Sequence, residues 1–245
     1  MSHVLDPLLE DILHHTRHDP HQRASSLSDL ILGAQDGLVN VLGVVLGIAA
    51  ATNDVRIVLV AGLATTFAES ISMGAVAYTT TLAEADLYQS EREREYRHIK
   101  EIPALEKQEV EQIYRHKGFK GELLDRIVQT VTANKDVWVA VMMAEEHRLA
   151  PVQRSEAFKA AWIVGLSAIL GSLVPLLPFL FLPMAASMIA AVLVTAAVLF
   201  AIGSYKARVT IGHPARSGLE MALIGTVSAL AGYLIGMLLK VPPVP

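Results

Sequence analysis

Apolar positions in this chain gather into five runs, and one long polar block separates the second run from the third. The runs cover about residues 28–50, 57–82, 159–178, 183–205 and 217–239. As helices rising about 1.5 Å per residue, they are long enough to cross a hydrocarbon core of about 30 Å. Thr52-Asn53-Asp54 reads as the turn between the first two. Nothing breaks a helix between Met73 and Ile99, so the second run is expected to continue into the polar block. Within that block apolar residues recur at helical spacing: Leu105, Val110 and Ile113, then Leu123, Leu124, Ile127, Val128 and Val131. Pro103, Gly118 and Gly121 divide it into about three helices. The predicted fold class is an all-α integral membrane protein: five transmembrane helices with a cytoplasmic three-helix insert between spans two and three. The expected domains are an N-terminal segment at 1–27, spans one and two at 28–82, the helical insert at 83–158, and spans three to five at 159–245.

Small residues mark where these spans pack. Gly33-x-x-x-Gly37, Gly43-x-x-x-Gly47 and Gly232-x-x-x-Gly236 each put two glycines one turn apart. That spacing lets helix backbones approach closely. It serves packing within one chain or a seam between two copies equally well. Charge then orients the spans. With five crossings, Arg17, Arg23, the insert and the loop carrying Lys206, Arg208, His213 and Arg216 fall on one side, leaving Arg56 and Lys240 on the other. The positive-inside rule makes the first side cytoplasmic and the C-terminus external or lumenal.

Composition adds exclusions. The chain is 53% hydrophobic with net charge −4 and a mean hydropathy of +0.44. Neither a nucleic-acid partner nor a polybasic membrane patch is indicated. There are no cysteines, which excludes disulfides and thiolate metal sites. Residues 1–27 are polar and carry His3, His14, His15, His18 and His21. They form either a metal-binding segment or an amphipathic one, with Leu5, Leu8, Leu9 and Ile12 as its stripe and Pro20 at its end. The segment lacks the apolar core of a secretory signal. Without a visible targeting segment, a prokaryotic cell membrane is expected rather than a vacuole.

The candidate chemistry lies in two places. Asp36 sits inside the first span, and Glu69 near the middle of the second, with Met73 one turn further on the same face. An ionised side chain at that depth costs about 3 kcal/mol on insertion scales, so it needs a partner. No span offers a Lys or Arg well inside its apolar core, which leaves a proton or a metal ion. In the insert, Glu91, Glu95 and His98 share a helix face, Glu106 and Glu109 step by three, and Met142 lies one turn before Glu146, with Met143 beside it. Helical bundles build sites for divalent first-row metals from such pairs. Carboxylates alone suit Mg²⁺, Ca²⁺ or Mn²⁺, and imidazole and thioether move the preference towards Fe²⁺ and later ions. A solvated face is the competing reading, because Arg92, Arg94, Arg97, Lys100 and Lys107 are interleaved and would pair with the acids.

Four ordered motifs then resemble the vacuolar iron transporter family over roughly residues 25–240. They are Gly33-Ala34-Gln35-Asp36-Gly37-Leu38-Val39, Ser70-Ile71-Ser72-Met73-Gly74, Glu84-Ala85-Asp86 with the acidic run after it, and Trp138-Val139-Ala140-Val141-Met142-Met143-Ala144-Glu145-Glu146. The resemblance implies a transporter, not an enzyme, that moves cytosolic Fe²⁺, and Mn²⁺ in many members, in exchange for protons. It implies a homodimer in the lipid bilayer with the ion path between protomers. No organic cofactor is expected, the divalent ion being substrate. By the family pattern Asp36 and Met73 belong to the path, and Glu95, Glu106, Glu109, Met142, Met143 and Glu146 to the metal-binding insert. Two positions depart from it. Thr65 stands where family members carry a glutamate eight residues before the path Met, and Glu69 lies a turn closer. His98 stands where Glu is common. Glu95-x-x-His98 has the form of a di-iron ligand pair, so the alternative is a membrane-anchored di-iron oxidase, or a metal sensor, that uses the insert.

Overall fold

The computed structural model describes residues 20–239, with side chains from Ser26. The N-terminal histidines, Lys240 and the predicted Leu5–Ile12 stripe lie outside the described residues, as does the side chain of His21. Eight helices are described: α1 (Pro20–Thr52), α2 (Val55–Glu101), α3 (Pro103–His116), α4 (Gly121–Ala133), α5 (Lys135–Glu145), α6 (Glu156–Phe181), α7 (Met184–Val209) and α8 (Pro214–Leu238). Five of them, α1, α2, α6, α7 and α8, are long and apolar enough to cross a membrane. No strand occurs among the described residues.

The chain divides into two compact units, residues up to Ala77 with those from Lys159 onward, and Tyr78–Phe158. Helix α2 runs unbroken through 47 residues, as the lack of a breaker predicts. At about 1.5 Å per residue that is roughly 70 Å, more than twice the thickness of a hydrocarbon core.

In the first unit α1 is the axis. Val41, Leu42, Val45, Leu46 and Ala49 of α1 are buried with Val58 of α2, Leu176 and Phe179 of α6, Ala191 of α7 and Ala229 of α8. Lipid supplies no hydrophobic drive between helices, so their association rests on close packing. The glycines provide it. A Cβ on Gly232 would lie 2.0 Å from the Gly43 carbonyl oxygen, and one on Gly236 would lie 1.9 Å from that of Gly47. Towards α6, a Cβ on Gly33 or Gly37 would come within 2.3 Å of the carbonyl oxygens of Val164 and Ala168 respectively. Ser228 Oγ of α8 donates to the Val39 carbonyl at 3.3 Å. The three glycine pairs thus pack within one chain, which decides between the two readings that their spacing allowed.

Helix α1 opens at Pro20, earlier than the expected span, because proline suits a first helical position, where no N–H partner is lost. Helix α6 continues through Pro175 and Pro178 to Phe181, past the predicted end at 178. Prolines are tolerated in membrane helices where neighbours re-satisfy the freed carbonyls. At the C-terminal end of α6, Ser187 Oγ, in the first turn of α7, donates to the carbonyls of Pro178 at 3.1 Å and Leu182 at 2.8 Å.

In the second unit, the end of α2 packs with α3, α4 and α5. Ile99, Val110, Leu124, Val128, Val131, Trp138, Val139, Met142 and Met143 form its core. Gly118, at φ +97°, ends α3 with backbone geometry that glycine adopts without steric cost. The expected third helix is two helices, since the chain breaks at Asn134. Its side chain accepts from the N–H groups of Asp136 at 2.9 Å and Val137 at 3.5 Å and so caps α5. Tyr96 of α2 donates to Asp136 at 2.6 Å, tying that cap to the long helix.

Replacing Gly236 by leucine is expected to destabilise the protein by about 1–3 kcal/mol or more, since backbone has to move to admit a side chain. The outward-facing Val227→Ala should stay within about 0.5 kcal/mol. Thermal unfolding in detergent, followed by circular dichroism, compares the two.

Candidate functional site

In the first unit, Asp36, Gly37 and Asn40 occupy adjacent turns of α1, and the close fit of α1 to α6 at Gly37 leaves that helix little freedom. Asn40 Nδ2 donates to Glu69 Oε1 of α2 at 2.7 Å. Asp36 lies close enough to Glu69 for its charge to act on that carboxyl. Glu69 Oε2 is buried with no hydrogen-bond partner. Among the described residues no Lys or Arg pairs with Asp36 or Glu69. Met73, one turn from Glu69, is half-buried. Two carboxyls, an amide and a thioether on neighbouring turns can take up a proton or a cation. Asn40 was not singled out from the sequence. Its spacing of four from Asp36 was the available signal, and an uncharged amide in a span is a weak one.

In the second unit, the chain folds back at Ile102, whose N–H is bonded to the His98 carbonyl at 2.8 Å. Pro103 then starts α3, which brings its first turn against the last turns of α2. Glu95, His98 and Glu106 meet there, each offering a ligand atom within 4.8 Å of the others. His98 Nδ1 is 3.2 Å from Glu106 Oε1 and 4.0 Å from Glu95 Oε1. Glu95 and Glu106 are each only 2% exposed, and the Oε2 atom of each is buried without a partner. Orphaned carboxylate oxygens are costly in a protein interior, and a cation relieves that cost.

The interleaved cations do not answer these two acids. Arg94 pairs with Glu91 at 2.8 Å, and Arg92 lies over the Tyr96 ring at 5.4 Å. Lys117 pairs with Glu145 and Arg154 with Asp86. Glu109 and Glu146 are close enough for their charges to act on Glu106. Met142 and Met143 are fully buried in the apolar core.

One member of this cluster escaped the sequence reading. His147 Nε2 lies 2.9 Å from Glu95 Oε1. It follows Glu146 directly, but it stands just beyond α5, where helical periodicity no longer predicts direction.

The electrostatics follow from crowding. Burial, and next the charges of Glu95 and Glu109, push the Glu106 carboxyl up to about 7. Burial and the neighbouring Glu109 charge raise Glu146 as well. Burial opposes the His147 charge, but the bond to Glu95 and the surrounding carboxylates outweigh it and hold His147 above its ordinary value.

Known proteins place this arrangement in context. The sequence model described as VIT family matches residues 27–237. The chain belongs to that family. Among relatives, "Vacuolar iron transporter 1" of Oryza sativa subsp. japonica is 34% identical over 233 residues, covering 93% of this chain and 92% of the relative. "Vacuolar iron transporter 1" of Arabidopsis thaliana is 29% identical over 237 residues, 96% of this chain and 95% of the relative. "Vacuolar iron transporter" of Plasmodium berghei is 30% identical over 248 residues, 97% and 88% respectively. These VIT family relatives are named as transporters, in keeping with a chain that is not an enzyme. They come from plants and Plasmodium, and they lend nothing to the expectation of a prokaryotic membrane.

Metal-free protein should lose stability as pH rises from about 5 to 8. Glu106 holds its proton in the folded state up to about 7 but loses it near 4.5 when unfolded. The folded state therefore binds more protons between those values, and its advantage falls with rising pH. His147, raised above 6.5, acts in the same direction at the upper end of that window. Thermal unfolding in chelator across this range should show the decline, and Glu106→Gln should flatten it.

Proposed function

We propose that this protein is a metal transporter that moves Fe²⁺, with Mn²⁺ as a second candidate cargo, out of the cytosol in exchange for protons. The observation that carries the reading is the Asp36–Asn40–Glu69 arrangement inside two spans, with no basic residue to neutralise it. Intramembrane carboxylates without a counter-ion mark ion and proton paths. The family membership and the relatives' names support iron as the cargo.

In this mechanism the N-terminus and residues 83–158 are cytoplasmic. The insert collects the ion through Glu95, His98, Glu106, Glu109, Met142, Met143 and Glu146. Asp36 and Met73 receive it in the path, and it leaves past Glu69 to the outside or lumen. Proton coupling is a matter of competition. Asp36 and Glu69 share one polar pocket, and a dication entering it displaces whatever proton the pair holds. Such displacement exchanges one cation for the other across the membrane. Thr65 carries no charge, so Glu69 takes the proton-carrying role on this side of Met73. The working unit is a homodimer with the path between protomers. Half-burial of Asp36 and Glu69 within one chain leaves room for a second copy to complete the path there.

A membrane-anchored di-iron oxidase is the weaker reading, because an anchor has no use for Asp36 and Glu69. Oxygen uptake on adding Fe²⁺ to solubilised protein separates the two.

Fe²⁺ flux into proteoliposomes with and without an imposed pH gradient tests the proposal. Wild-type flux should depend on the gradient. Asp36→Asn should lose at least about tenfold in rate, the scale of about 1.4 kcal/mol, while the detergent-solubilised variant keeps its metal affinity. Full transport by Asp36→Asn would remove Asp36 from the path.

A further inference from the structure

Two imidazoles converge on one buried carboxylate oxygen. Glu95 Oε1 has His147 Nε2 at 2.9 Å and His98 Nδ1 at 4.0 Å, and His98 reaches on to Glu106 Oε1 at 3.2 Å. We propose that His147 joins the Glu95–His98–Glu106 trio as a further metal-site residue, and that His98 and His147 together turn a carboxylate cluster into a mixed nitrogen–oxygen site for borderline divalent ions. The proposal rests on the reading of the insert as the ion-collecting element.

The local backbone supports a dedicated position for His147. Helix α5 ends at Glu145, and the N–H groups of Glu146 and His147 both return to the Met142 carbonyl, at 3.0 and 3.2 Å. Arg148 then adopts a left-handed conformation, φ +55°, and the Leu149 N–H closes on the Met143 carbonyl at 3.0 Å. A non-glycine residue in that region carries strain of about 1–2 kcal/mol. The tight reversal sets His147 against Glu95 instead of letting the chain continue outward.

The donor set is incomplete without an ion. Glu95 Oε2 and Glu106 Oε2 are buried and unpartnered, and no Lys or Arg reaches either carboxylate among the described residues. The His147 side chain remains 26% exposed, so an ion can reach it from solvent. Two imidazole nitrogens and two carboxylates suit Fe²⁺, Co²⁺ and Zn²⁺ over Mn²⁺, which stands lowest among these ions in affinity for nitrogen-containing sites.

Full-length protein in detergent, stripped of metal and titrated with Co²⁺ and with Mn²⁺, tests this. In His147→Gln, Co²⁺ affinity should fall about 10- to 100-fold, the usual loss when a metal site loses a supporting group, and Mn²⁺ affinity should fall far less. Co²⁺-loaded wild type should show paramagnetically shifted imidazole N–H resonances from both His98 and His147. This readout does not depend on the variant folding. A resonance from His98 alone, or equal weakening of both metals in His147→Gln, would reduce His147 to a prop for Glu95 and overturn the proposal. So would unchanged affinities in His147→Gln where Glu106→Gln abolishes binding, which leaves the collecting role of the insert standing. If Glu106→Gln also leaves both affinities intact, the collecting role itself fails.

Discussion

Close backbone approach along α1 is the constraint on which the first unit depends. Hydrocarbon gives helices no hydrophobic reason to associate, so contact must come from surfaces that fit. Gly43 and Gly47 meet Gly232 and Gly236 of α8, and Gly33 and Gly37 meet the backbone of α6. Asp36 adjoins one of these glycines. Its distance from Glu69 of α2 is therefore set by helix packing and not by a flexible loop. A polar pair in a low-dielectric setting is strong when well placed and costly when not. Packing to backbone contact supplies that placement.

The second unit solves a related problem with different means. Glu95 and Glu106 are as buried as the leucines and valines around them. Burying carboxylates this way is unfavourable unless hydrogen bonds or counter-ions answer them. Two histidines answer one oxygen of each, and the other oxygens stay open. Met142 and Met143 fill the adjoining core, where a polarisable thioether serves equally as packing and as a soft donor. Other acids of the same unit, the partly buried Glu91 and the more exposed Glu111 and Glu122, pair with nearby arginines instead. The unit thus separates acids paired with arginines from acids that keep one oxygen open to a cation.

Much of this was legible in the amino-acid order. The five spans follow from apolar run length, because a membrane-crossing helix must satisfy its backbone internally and face lipid with apolar side chains. The unbroken α2 follows from the absence of a breaker. Asp36, Glu69, Glu95 and Glu106 stand out as carboxylates placed where charge is expensive or regularly spaced. The second boundary in the insert, at Asn134, was less visible, since a capping asparagine resembles any polar helix residue until its side chain is seen accepting backbone N–H groups.

Tertiary structure alone decided the rest. Spacing could not say whether the glycine pairs joined helices of one chain or of two, because a glycine step describes one surface and leaves its partner open. It could not choose between arginines and histidines as partners of Glu95 and Glu106. That choice depends on the reversal at Ile102 and Pro103, which brings α3 against α2. Nor could it enlist Asn40 or His147. Asn40 matters only because α2 brings Glu69 beside it. His147 lies beyond the end of α5, where the left-handed Arg148 sets the direction of the chain. Sequence periodicity reports which residues share a face of one helix, and contacts between elements depend on how the chain turns between them.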